Sequence, residues 1–232
     1  MRRVVITGAS GGIGRHLAVR AMENGYSVVG IARRLPETDP GFPFIQADVG
    51  DADAVAAAFR QLRGESLWAL VNAAGIASMN LLLTTPPTSM ARIVGTNLLG
   101  TMYCCAEAAR LLIRKTGGKG PGGRIINFSS IASPLALMGE SVYAASKAGV
   151  ETFGRTLARE LAQFGITVNT VAPGPIDTAI VRGIPPETID ALVRRQIVRR
   201  MASPEDVWNV AEFLLGDSSA MISGDVLHVG GV

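Results

Sequence analysis

Residues 2–14 read Arg2-Arg3-Val4-Val5-Ile6-Thr7-Gly8-Ala9-Ser10-Gly11-Gly12-Ile13-Gly14. The short apolar run before Thr7 has the character of a strand buried in a parallel sheet. It breaks at once into glycines, and a helical pattern then runs from Arg15 to about Asn24, closed by Gly25. Strand, glycine turn and helix in immediate succession separate a dinucleotide-binding turn from an ordinary Gly-rich one. Gly8, Gly12 and Gly14 let the backbone turn tightly and approach a diphosphate. The amides of the helix N-terminus that Ile13 opens favour that negative charge.

The next strand, Tyr26 to Ala32, bears on which dinucleotide is bound. In NAD-binding turns an acidic residue about 20 positions after the glycines accepts bonds from the ribose 2′-hydroxyl. Here that place holds Arg33 and Arg34, with no carboxylate before Glu37. A carboxylate would repel a 2′-phosphate, whereas a guanidinium grips it with paired charged hydrogen bonds. Ser10 offers a hydroxyl to the same phosphate. Two arginines at a strand end also suit a plain solvated surface, but the pattern favours NADP(H) over NAD(H).

The same alternation continues down the chain. Strand patterns lie near 3–7, 27–32, 43–46, 67–72, 124–129, 166–171 and 225–229. Helical patterns lie between them, near 13–24, 52–63, 88–115, 142–164, 187–199 and 204–215. The reading predicts an α/β fold: one Rossmann-type doubly wound domain over 1–232, its seven-stranded parallel sheet covered by helices on both faces. Residues 1–120 mainly bind the dinucleotide, and 121–232 carry the catalytic and substrate-loop part. The Gly-rich stretch from Thr116 to Gly123 reads as a surface turn.

In the second half, Tyr143-Ala-Ala-Ser-Lys147 follows Ser130 by thirteen residues. A phenol with a pKa of about 10 is a poor proton donor at neutral pH. A lysine four residues later shares its helix face, and its charge favours the phenolate, drawing the phenol's pKa down. A serine hydroxyl alongside would hold a carbonyl or alcohol oxygen against the phenol. The pattern also arises by chance on ordinary helices; the nucleotide turn gives it weight.

Taken in order, these segments resemble the short-chain dehydrogenase/reductase family over the whole chain. They are Thr7 to Gly14, Asp48-Val49, Asn72-Ala73-Ala74-Gly75, Asn97, Ser129-Ser130, Tyr143-x-x-x-Lys147 and Pro173-Gly174-Pro175-Ile176-Asp177-Thr178. Residues 165–174 and 222–231 are most similar to the 3-oxoacyl-acyl-carrier-protein reductase branch. The resemblance implies Tyr143 as general acid in reduction or base in oxidation, with Ser130 polarising the carbonyl. It implies that Lys147 lowers the pKa of Tyr143 and holds the nicotinamide ribose, and that Asn97 holds a relay water. It places Asp48 and Val49 beside the adenine, and Asn72, Ala73 and Gly75 along the ribose. Pro173, Ile176 and Thr178 fall beside the nicotinamide carboxamide. Many NADP-preferring relatives carry a basic residue where this chain has Gly11, so Arg33 and Arg34 bear the selectivity. Family members usually form tetramers, and Ala106, Ala109, Ala148 and Phe153 suit the outer faces of the helices involved, so a homotetramer (or dimer) is expected.

Composition narrows the remaining readings. The 48% hydrophobic content supports a substantial core. No apolar run reaches membrane-spanning length and no leader precedes the first strand, which predicts a cytoplasmic protein without membrane contact. Cys104 and Cys105 are adjacent and read as core filling. His16 and His228 lack metal-ligand spacing, so no metal is expected. A net charge of +3 argues against nucleic acid. Arg194, Arg195, Arg199 and Arg200 read either as a solvated helix face or as a dock for an acidic carrier. The resemblance implies a substrate pocket built by Ile131 to Glu140 and by Thr178 to about Arg200, and Pro134, Leu135, Leu137 and Met138 in the first piece suit an apolar wall or plain packing. Three classes stand: an NADPH-dependent ketoreductase, a 3-oxoacyl thioester being the favoured substrate; a catabolic alcohol, sugar-alcohol or steroid dehydrogenase; and a non-catalytic NADP sensor. The third typically lacks the tyrosine or lysine that this chain keeps.

Overall fold

In the computed structural model, which describes residues 1–36, 38–116, 122–177 and 186–232, the apolar runs become parallel strands. They are β1 (Arg3–Thr7), β2 (Ser27–Ala32), β3 (Phe44–Gln46), β4 (Leu67–Asn72), β5 (Gly123–Phe128), β6 (Ile166–Pro173) and β7 (Val226–Val229). Among the described residues they form one seven-stranded sheet in the order β3-β2-β1-β4-β5-β6-β7. All residues of β4, β5 and β6 are buried, whereas β3 and β7 at the edges are only partly so. This is the burial that helices on both faces impose on a parallel sheet.

The strand pleat divides the core. Val5 and Leu70 point to the face covered by α2 (Ala52–Gln61), α4 (Gly100–Thr116) and α6 (Ser141–Leu161). Val4, Ile6 and Val71 point to the face covered by α1 (Gly12–Glu23) and α8 (Pro204–Leu215). Gly14, Leu17, Ala18 and Ala21 make the inward stripe of α1, at the i, i+3, i+4, i+7 spacing of an amphipathic helix. Ser203 and Asp206 form a capping box that starts α8.

Strand order reverses between β1 and β4, the switch point at which open α/β sheets form a ligand crevice beyond their carboxyl ends. The glycine turn, the 73–77 stretch, Ser129-Ser130 and Pro173-Gly174 all emerge there.

Two helical readings need correction. The stretch read as one helix over 88–115 is α3 (Pro87–Val94), a π-helical turn at Gly95–Leu99, and α4. The wide turn sits where fully buried Asn97 bonds outside its own helix, a frequent setting for such bulges. The short α5 (Ala132–Leu135) was not anticipated, because four residues carry no periodicity. The substrate-side helix α7 spans Pro186–Arg195. The turn read over Thr116 to Gly123 lies largely outside the described residues.

Candidate active site

The glycine turn has the shape that a diphosphate needs. Gly8 lies at φ +71°, and a Cβ there would sit 2.9 Å from Ala74 Cα. A Cβ at Gly14 would sit 2.4 Å from the Gly8 carbonyl oxygen, so α1 packs directly on the turn. At Gly11 and Gly12, by contrast, a Cβ would meet nothing within 4 Å, which leaves the outer side of the turn open. Thr7 Oγ1 accepts from Ala74 N (3.1 Å) and ties the two walls of the crevice together. Ser10 and Ile13 stand half-buried at its rim.

Arg33 and Arg34 are exposed at the end of β2. Arg33 Nη1 lies 3.8 Å from Asp48 Oδ2, and Asp48 Oδ1 accepts from Gly50 N (2.9 Å). Val49, beside them, is buried. The Asn72 side chain turns into the core, where its amide donates to Asn127 Oδ1 (2.9 Å) and Cys105 Sγ (3.2 Å). Only its backbone can serve the crevice. Ala73 and Gly75 line the cavity, as do Pro173 and Ile176. Thr178 lies outside the described residues.

Asn97 brackets the 73–77 stretch from behind. Its Nδ2 donates to the Ile76 carbonyl (2.9 Å) and Ser146 Oγ (3.1 Å), and its Oδ1 accepts from Ile76 N (2.9 Å). Both amide hydrogens are therefore used by protein groups, so any relay water would rest on an acceptor. A Cβ at Gly75 would lie 3.3 Å from Lys147 Nζ and 3.4 Å from Asn97 Oδ1, which puts these three residues side by side.

Helix α6 carries Tyr143 and Lys147 on adjacent turns. Lys147 sits in the helix's buried stripe, and its Nζ donates to the Phe128 carbonyl (2.9 Å) and stands 5.8 Å from the Tyr143 ring centroid. Ser130 Oγ accepts from Ala132 N (3.2 Å). Ser130, Tyr143 and Lys147 all line one cavity of about 160 Å3 at the carboxyl end of the sheet.

The electrostatics depart from the sequence reading. Burial pushes the Tyr143 phenol up to about 12, opposed by its hydrogen bond with Ser130 and reinforced by the negative charge of Glu140. Burial also drives the Lys147 ammonium down from 10.5 to about 8. Desolvation, rather than a pull from the lysine, dominates the phenol, while the Lys147 ammonium donates to the Phe128 carbonyl.

Burying that cation should cost stability in a pH-dependent way. Below pH 8 the folded and unfolded chains both hold the proton, and the whole burial cost is present. Between pH 8 and 10.5 the folded protein has released it and the unfolded chain has not, so the cost fades as pH rises. Lys147→Met should therefore raise the unfolding free energy by on the order of 1–2 kcal/mol at pH 7, allowing for the orphaned Phe128 carbonyl. The gain should shrink toward zero or below by pH 10.5 in urea titrations. A gain independent of pH would show that the ammonium is not strained by burial.

Several sequence assignments around the site shift. Of Pro134, Leu135, Leu137 and Met138, only Leu137 lines the cavity, and Met138 is 87% exposed. Ile76, Ile189 and Leu192 add apolar lining. Among the four arginines, Arg200 grips Asp206 with two bonds and Arg195 donates to the Leu135 carbonyl (3.0 Å), while Arg194 and Arg199 are exposed. Ala106 and Ala148 face outward, but Ala109 is buried and Phe153 packs against the core.

Glu140 and Gln196 both fall within the segments expected to build the pocket, Ile131 to Glu140 and Thr178 to about Arg200, but neither is singled out by the sequence. Glu140 lines the cavity three residues before Tyr143, and that helical spacing was the available signal. Gln196 Oε1 is buried without a hydrogen-bond partner, and a Cβ at Gly174 or Gly230 would come within 2.0 or 2.2 Å of it. Nothing in the sequence pattern marks that contact.

With this geometry in view, comparison with known proteins is specific. A family model described as enoyl-(acyl carrier protein) reductase matches residues 8–231. The 3-oxoacyl-[acyl-carrier-protein] reductase FabG of Staphylococcus aureus is 33% identical over 243 residues, covering 99% of this chain and 97% of that one. The FabG of Vibrio harveyi is 33% identical over 239 residues, with 98% and 95% covered. The ligand-free aldohexose dehydrogenase of Thermoplasma acidophilum superposes with a TM-score of 0.88 at 29% identity, over 99% of this chain and 93% of that one. The chain belongs to the short-chain dehydrogenase/reductase family, in its 3-oxoacyl-acyl-carrier-protein reductase branch. It is an oxidoreductase acting on CH–OH or C=O groups with a nicotinamide coenzyme. The open glycine turn at residues 8–14 fits such a group. Among the described residues no helix is long and apolar enough to cross a membrane.

Proposed function

We propose that the protein is an NADPH-dependent ketoreductase whose substrate is a 3-oxoacyl thioester, free or carried on an acidic carrier protein. The observation that supports this most strongly is the convergence of Ser130, Tyr143 and Lys147 on the cavity that Gly75 and Ile176 also line. Gly8, Ser10, Gly12, Ile13 and Gly14 would hold the diphosphate, and Arg33 and Arg34 the 2′-phosphate. Asp48 and Val49 would flank the adenine, while Ala73, Gly75, Pro173 and Ile176 would border the nicotinamide half. When bound, the coenzyme supplies the hydride.

The chain supplies the proton and the geometry. Ser130 Oγ donates to the carbonyl oxygen and holds it against Tyr143. Burial leaves Tyr143 protonated but a weak acid, and it delivers its proton only as negative charge develops on that oxygen, where the alkoxide is the stronger base. Lys147, still mainly cationic at pH 7, offsets the negative charge left on the phenolate. Asn97 fixes the 73–77 stretch beside it. Outward-facing Ala106 and Ala148 support assembly as a homotetramer, and Arg194 and Arg199 offer charge for carrier docking.

The test is NADPH consumption with acetoacetyl thioesters. Turnover with NADPH is expected to exceed that with NADH by at least about tenfold in kcat/KM. Faster oxidation of a sugar alcohol with NAD would instead favour a catabolic dehydrogenase, the reading to which the likeness with the aldohexose enzyme gives some weight.

A further inference from the structure

Among the described residues lining the cavity, Glu140 is the one carboxylate. It occupies the N-cap position of α6, yet its side chain makes no capping hydrogen bond. Among the described residues it has no ion pair or side-chain hydrogen bond of any kind; only its backbone is engaged, accepting from Ala144 N (2.7 Å) and donating to the Leu137 carbonyl. Its position follows from the chain path before it. Ala136, at φ 48°, and Gly139, at φ 84°, are both left-handed, and between them they turn the segment so that Leu137 and Glu140 line the cavity while Met138 is exposed. An L-residue at Ala136 holds that conformation at a cost, which the neighbouring structure must offset.

A half-buried carboxyl group without a protein partner takes its donors from water, and a substrate N–H or O–H that reaches it exchanges one donor for another. Helix α6 gains a little from an acid near its N-terminus, but that needs no placement toward the cavity. The charged and titratable groups it faces there are Tyr143 and Lys147, and the ammonium of Lys147 is already bound to the Phe128 carbonyl. Burial raises the carboxyl's pKa.

We propose that Glu140 is a specificity-determining residue that accepts a hydrogen bond from an N–H or O–H group close to the reacting carbonyl and rejects substrates carrying a carboxylate at that place. The proposal rests on the ketoreductase reading for its substrate pose and adds the class of ketone. A ketone fits when it presents an N–H or O–H there; a free 3-oxo acid does not. The apolar wall of Ile76, Ile189 and Leu192 takes the rest of the molecule.

Three ketones of nearly equal size isolate the effect: acetoacetamide, methyl acetoacetate and acetoacetate. Their dissociation constants, read by ligand-observed NMR on the full chain with NADP+ present, should rank amide tightest and carboxylate weakest. In Glu140→Leu the amide-to-ester preference should fall by about tenfold, the size expected for a hydrogen bond to a charged group. Glu140→Gln should keep part of that preference through its carbonyl oxygen while acetoacetate gains about tenfold relative to the ester. Ratios within twofold of wild type in both variants would overturn the proposal, since a carboxylate serving only the helix terminus would alter melting temperature and leave the ratios fixed. NADPH oxidation with the same three ketones is scored separately. Its complete absence would count against the reductase reading, whereas the binding ratios judge Glu140 by themselves.

Discussion

Tyr143→Phe is expected to lower kcat by about 10²- to 10⁴-fold, the usual contribution of a positioned general acid, while the dissociation constant for NADPH stays within about threefold of wild type. The substitution removes one oxygen and keeps the ring that stands 5.8 Å from Lys147 Nζ. It leaves the glycine turn, the arginine pair and the Lys147 bond to the Phe128 carbonyl untouched. Stability should change little, because the lost hydroxyl's partner, Ser130, keeps its bond from Ala132 N. Binding by fluorescence quenching and turnover by absorbance separate the two effects. A variant that retains most of its turnover would assign proton delivery to another group. One that loses coenzyme affinity in parallel would mean that the phenol acts in binding.

Coenzyme selectivity should respond as strongly, at the other end of the crevice. Arg33→Asp combined with Arg34→Ala should raise the KM for NADPH by roughly 10- to 100-fold, as expected when charged hydrogen bonds to a phosphate are lost and a carboxylate is put in their place. The KM for NADH should move by no more than a few fold, since an aspartate at 33 can accept a ribose 2′-hydroxyl. Arg33 stands 3.8 Å from Asp48, but an exposed pair at that distance contributes little, and the guanidinium is free to reorient to a phosphate. Equal losses for both coenzymes in steady-state kinetics would remove the phosphate-clamp argument and leave the arginines as surface charge.

The parts of this account that were legible in the sequence are those set by local pattern. Continuous apolar runs marked the strands to within two residues, and the Gly8-to-Gly14 turn marked the crevice. The Tyr143–Lys147 spacing determined that both groups lie on one face of α6. What escaped the sequence depends on burial and on three-dimensional contact. The π turn at Asn97 arises because that side chain bonds across to Ile76, a contact twenty-one residues away in the chain. The high pKa of Tyr143 comes from desolvation, which a motif does not express. Met138 and Leu137 are both apolar neighbours in sequence, and the left-handed turns at Ala136 and Gly139 decide that one is exposed and the other lines the cavity. Ala109 follows exposed Ala106 by three residues on α4, an offset of about 60° around the helix, and that offset is enough to carry it to the buried side.

The central claim is that Tyr143, Ser130 and Lys147 act together on a carbonyl presented to a nicotinamide coenzyme. It is tested most directly with an acetoacetyl thioester and NADPH deuterated at C4 on the transferring face, by locating the label in the product with mass spectrometry and NMR. One deuterium is expected on the new carbinol carbon. The same product is expected from Tyr143→Phe at a rate about 10²- to 10⁴-fold lower. Coenzyme oxidised without label reaching the thioester, or label transferred at the wild-type rate by Tyr143→Phe, would contradict it.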